Sequence, residues 1–142
     1  MKRKLYIKEF VCFILIFEVI FSLTGCYQVR EKEYYLDKNN YITEEAVVDN
    51  VIFDEENNSI YFWLSQIDEA YQDSTFKIEG ENVNVLIDNK VFEKVEIGSV
   101  FTYTSAPHYF GDGYCMPIVA ISYDGEELLS FEEGYENLMK LY

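Results

Sequence analysis

Ala46-Val47-Val48-Asp49-Asn50-Val51-Ile52-Phe53, then Asp54-Glu55-Glu56-Asn57-Asn58, then Ser59-Ile60-Tyr61-Phe62-Trp63-Leu64-Ser65 is the stretch whose reading decides the fold. The first run is rich in Val and Ile, the second is a polar, Asx-rich turn, and the third alternates strictly. Ile60, Phe62 and Leu64 share one face, and Tyr61 and Trp63 take the other. Two β-rich runs around such a turn predict a hairpin. Downstream, Gln66–Asp73 reads as an acidic connection with room for one helical turn. Thr75–Glu79, Gly80 and Val83–Ile87 then predict a second pair of strands, with Val83, Val85 and Ile87 facing inward. Asp88-Asn89 marks a turn, and Val91–Ile97 fits either a strand or a short helix. Val100–Thr104 and Met116–Tyr123 read as strands, the latter ending on the hairpin-type dipeptide Asp124-Gly125.

The period then changes. Phe131, Tyr135, Leu138 and Tyr142 recur at helical spacing, and Ser130 with Glu133 forms a capping box. Gly134 lowers the propensity of that helix by about 1 kcal/mol relative to Ala. Five or six strands with a short C-terminal helix predict a mainly β fold, a small β-barrel. The order of elements over roughly residues 42–124 resembles an OB-fold. There is a long first hairpin, then Gly80 near a third strand, a connection holding Val91–Ile97, and a long loop before a fifth strand. That resemblance implies a fold and no function. A packed core is within reach, because 18% of residues are aromatic, thirteen of them Tyr. Disordered acidic chains lack such residues.

Upstream of the barrel region the chain has another character. Lys2, Arg3, Lys4 and Lys8 make a cationic start, and residues 10–23 form an apolar run too short for a membrane span of about 20 residues. These are the parts of an export signal. The run ends on Leu23-Thr24-Gly25-Cys26, which resembles the lipobox of bacterial lipoproteins. The resemblance implies cleavage between Gly25 and Cys26 and a lipid on the Cys26 thiol. It therefore implies an anchor in the cell membrane on its extracytoplasmic face, or in the outer membrane of a host that has two. Glu18 departs from the usual apolar core of such a signal, and a central carboxylate there costs about 2–3 kcal/mol on insertion scales. The expected organisation is a signal peptide at 1–25, a lipidated cysteine and flexible tether at 26–41, and one barrel domain at 42–142.

Beyond the signal the chain carries 7 basic and 24 acidic residues, a formal balance of −17. Such a surface repels phosphate backbones, so nucleic acid is excluded as a partner. Cys12 leaves with the signal and Cys26 is committed to lipid. Cys115 then stands alone, so no intramolecular disulfide is expected. One His and one remaining Cys also exclude a zinc site of those ligands.

The loop from Ser105 to Pro117 gathers His108, Cys115, Pro107, Pro117 and Gly111-Asp112-Gly113. A Cys–His pair makes a nucleophile when the imidazole lowers the thiol pKa, but no oxyanion motif accompanies it. The loop reads better as a structured hairpin with Tyr109, Phe110 and Tyr114 packed on the barrel. Asp54–Asn58, Asp112 and Asp124 offer oxygen ligands, yet they lack the alternate-position pattern of a calcium loop. No metal or cofactor is expected. Tyr61, Trp63 and Tyr103, with His108, Tyr109, Phe110, Asp112 and Tyr114, form the candidate binding surface. Aromatic side chains there would stack on sugar rings or peptide side chains. The sequence favours a non-catalytic module for an envelope protein or cell-wall ligand. The alternative is a cation-dependent or thiol-based enzyme centred on residues 105–117.

Overall fold

A computed structural model describes residues 29–108 and 115–142. The predicted signal, Cys26 and part of the 105–117 loop lie outside them. Among the described residues no helix is long and apolar enough to cross a membrane.

The first hairpin forms as its alternation dictates. β1 (Ile42–Asp54) pairs antiparallel with β2 (Ser59–Ser65), joining Phe53 to Ile60 and Asp54 to Ser59. The Asp54 carboxylate closes the turn by accepting from the Asn57 backbone and side-chain nitrogens. Those same bonds pull its pKa below the usual carboxylate value. Thus the acidic run that offered oxygen ligands spends its leading carboxylate on its own turn. β1 is 13 residues long and carries a register shift between Val48 and Asn50. The extra residue bends the strand, so its first half pairs with β4 (Val100–Ser105) and its second half with β2.

β3 (Thr75–Glu79) adds antiparallel to β2 and then parallel to β5 (Cys115–Tyr123), which pairs with β4. Five strands therefore close in the circular order β1-β2-β3-β5-β4, an OB-fold-like barrel that leaves none of them as an open edge. β6 (Glu126–Leu129) extends the sheet from β5 through a two-residue turn. Asp124 and Gly125 both have positive φ there, as a type I′ hairpin turn requires. This strand has no counterpart among those expected from the sequence.

One prediction is corrected between β3 and β4. Val83–Ile87 is not a strand but the body of α2 (Glu81–Asp88), followed by α3 (Val91–Lys94). Val83 and Leu86 are buried at helical spacing, while Ile87 is exposed. Gly80 initiates the change of direction with φ +64° and ψ −137°, a conformation only glycine adopts readily. Val83, Leu86, Val91 and Val95 join Ala46, Val48, Ile60, Phe62, Phe76, Phe101, Tyr103 and Met116 in the main core.

A second, smaller core lies outside the barrel wall. β5 pairs Ala120 with Thr104 but Ile118 with Ser105. This irregularity lets Ile118 and Ile121 both join the main core while Val119 turns outward. Tyr35, Ala106, Val119 and Leu138 are buried together there, flanked by Tyr34, Tyr41, Phe131, Met139 and Tyr142. Leu138 belongs to α4 (Phe131–Met139), the predicted C-terminal helix, whose Ser130 hydroxyl accepts from the Glu133 amide as a capping box requires. Gly134 is needed for closeness: a Cβ built on it would stand 1.8 Å from the Val119 carbonyl oxygen. Asn82 and Asn137 fasten α2 to α4 as a buried pair, with the Asn82 amide donating to the Gly134 carbonyl.

Tyr35 comes from the segment expected to be a flexible tether. Residues 29–36 are helical and form α1, and Lys38–Asn40 adds a 3₁₀ turn. Tyr35 is 2% exposed. Tyr34 donates its hydroxyl to the Pro107 carbonyl, and Tyr135 donates to the Leu36 carbonyl. Over residues 29–41 the tether expectation is therefore corrected to a docked helix and turn. Its polar, aperiodic sequence hides one strong aromatic anchor whose partners, Ala106, Val119 and Leu138, are all distant in sequence.

Candidate functional site

Strand register builds the first candidate surface. On β2 the residues opposite the core-facing Ile60, Phe62 and Leu64 are Tyr61 and Trp63, as their alternation predicts. Tyr61 lies between Ile52 of β1 and Lys77 of β3, and Trp63 lies between Asn50 and Thr75. These two rows form the outer wall of the barrel. Trp63 is 37% exposed and Ile52 47%. The Lys77 ammonium stands 6.0 Å from the Tyr61 ring centroid, within cation–π range. The wall thus offers flat apolar area with one cation at its margin.

Lys77 also faces a pocket of about 110 Å³ where α1 meets β3, β5 and the last residue. Its lining is Glu31, Tyr35, Lys77, Glu79, Pro117 and Tyr142. Glu31 and Tyr35 are four apart, so one face of α1 supplies both. Lys77 and Glu79 alternate to the same side of β3 and form an ion pair. Burial pushes the Glu31 carboxyl above the usual carboxylate range, a hydrogen bond from Tyr142 opposes the shift, and the Glu79 charge adds to it. The Tyr142 hydroxyl is pushed well above the usual tyrosine range by burial, with the charges of Glu31 and Glu79 reinforcing it. No local signal in the sequence joins Glu31, Glu79 and Tyr142, because their meeting depends on the docking of α1.

The predicted surface is partly dispersed. Tyr61 and Trp63 stand on the outer wall, but Tyr103 does not join them: it is 1% exposed in the main core, edge-on to Phe76 at 5.1 Å. Its hydroxyl donates to Glu44 at 3.1 Å. Burial, then the nearby Glu44 charge, raises its pKa. Phe101 of the same strand is likewise core, while Thr102 and Thr104 take the outward side. His108 is exposed, with its ring 4.2 Å from that of Tyr34. Tyr109, Phe110, Asp112 and Tyr114 lie outside the described residues, as do Gly25 and Cys26. Of Cys115 only its backbone is described, paired with Thr75 at the start of β5.

No protein-family model, curated protein or solved structure matches this chain. The functional reading therefore rests on the chain's own residues.

Proposed function

We propose that this protein is a membrane-anchored, extracytoplasmic lipoprotein whose barrel is a non-catalytic binding module for an envelope protein or cell-wall ligand. The observation that carries the binding part is the outer wall of β1, β2 and β3, where Trp63 and Tyr61 stand between Ile52, Asn50, Thr75 and Lys77. Rings of this kind supply large contact area at low entropic cost. The anchor rests on Leu23-Thr24-Gly25-Cys26 and the short apolar run before it. Palmitate label that disappears in Cys26→Ala supports the anchor, and label that survives the substitution refutes it.

For the binding role, the full chain in detergent micelles is unfolded thermally against muropeptides, short glycans and basic peptides. A ligand specific for the folded state adds about 2.7 kcal/mol of stability at a hundred times its Kd. The expected outcome is a saturable rise in Tm with one of these classes that vanishes in Trp63→Ala. An equal rise in the variant would place binding elsewhere.

A further inference from the structure

The pocket between α1, β3, β5 and Tyr142 carries chemistry of its own, apart from the Tyr61–Trp63 wall. Two carboxylates, Glu31 and Glu79, face it against the single ammonium of Lys77, which is already paired with Glu79. The lining therefore keeps one negative charge in excess. Tyr35, Tyr142 and Pro117 supply the remaining walls, with Tyr142 beside Glu31. A volume of about 110 Å³ exceeds a single water's needs several-fold, since about 10–15 Å³ of such space admits one.

An anion is disfavoured by the charge balance. A calcium ion would want six to eight oxygens, and among the described residues no three His, Cys, Asp or Glu side chains converge. An alkylammonium group meets each feature. Its N–H donors find carboxylate acceptors, its positive charge suits the aromatic faces, and its short carbon stem fits the apolar remainder. We propose that this pocket is a binding site for a primary ammonium group on a short alkyl chain, as presented by a lysine side chain or a small aliphatic amine.

Calorimetry and ligand-observed NMR with n-butylammonium chloride on the full chain in micelles, at constant ionic strength, test this. n-Butanol serves as the uncharged control. Saturable binding of butylammonium but not of butanol is expected. Glu31→Gln, which keeps the shape and a hydrogen-bonding group beside Tyr142, is expected to weaken it about tenfold, the loss of one charge-assisted bond. Trp63→Ala is expected to leave it unchanged, which separates this site from the wall. Hydrogen exchange over residues 29–36 verifies that α1 stays docked in Glu31→Gln. Should α1 loosen, Glu79→Gln supplies the same comparison from β3. Absence of saturable binding, equal binding of butanol, or undiminished affinity in a variant that keeps α1 docked would overturn the proposal.

Discussion

Two outer faces of the same barrel are both rich in aromatic residues, and they meet opposite fates. Over β5 the face is covered: α1 and α4 bring Tyr35, Phe131 and Leu138 onto Val119 and Ala106, and a second core forms. Over β1, β2 and β3, Trp63 stays 37% and Ile52 47% exposed. The difference is not one of aromatic content, since Tyr35 and Phe131 lie on the covered face and Tyr61 and Trp63 on the open one. It follows from which strand the terminal helices reach. The covered face shows that the chain can bury aromatic surface on this barrel, and the open face is the one proposed above to bind a ligand.

The largest effects of substitution are expected on the covered side. Tyr35→Ala removes a fully buried ring and is expected to cost about 4 kcal/mol, within the range for large aromatic truncations. Denaturant unfolding would measure it, with faster hydrogen exchange over residues 29–36 as the local sign. Gly134→Ala comes next. The added methyl meets the Val119 carbonyl, so α4 must shift outward at a cost of about 3 kcal/mol, the upper end of overpacking. That value exceeds anything helix propensity explains, because Ala alone would favour the helix by about 1 kcal/mol. A stabilised Gly134→Ala would refute the close approach of α4.

On the open side the expected stability effects are small. Trp63→Ala should cost about 1–2 kcal/mol, because the ring keeps 37% of its surface exposed and loses only part of the value of a fully buried one. A loss as large as that of Tyr35→Ala would show Trp63 to be a packing residue and erase the contrast. The smallest effect concerns Glu31. Its carboxyl pKa is raised by burial, so folding favours the protonated form. The stability this contributes is full below the ordinary value of 4.5 and is lost as pH rises through the raised value. Glu31→Gln should remove that dependence, so the variant gains on the wild type as pH rises. The gain should be small, because solvent screens a carboxyl that is only partly buried. Denaturation of both proteins on either side of the carboxylate range would measure it.

How much of this was legible depended on whether the signal was local. The β1–β2 hairpin was, because Ile60, Phe62 and Leu64 alternate against Tyr61 and Trp63 over uninterrupted residues. The capping serine of α4 was legible for the same reason. Val83, Val85 and Ile87 misled because three β-branched residues at period two mimic a strand. The burial of Val83 and Leu86 in a short helix appears only once the barrel exists. Phe101 and Tyr103 alternate as outward aromatics would, yet β4 turns that parity into the main core and leaves its threonines on the other side of the sheet. α1 was hidden most completely. Its docking rests on Tyr35 and on hydrogen bonds to Pro107, Tyr135 and Tyr142, all distant in sequence. The pocket at its foot was hidden with it.

Trp63 is the single tryptophan of the chain, so its fluorescence reports on the open wall without labelling. Titrating the full chain with muropeptides, short glycans and basic peptides, with excitation selective for tryptophan, tests the binding claim most directly. A saturable change in Trp63 emission with one ligand class, weakened in Tyr61→Ala, is the expected result. A ligand that stabilises the fold while leaving Trp63 emission unmoved, or a panel in which no class moves it, would contradict the assignment of the β1–β2–β3 wall as the binding surface.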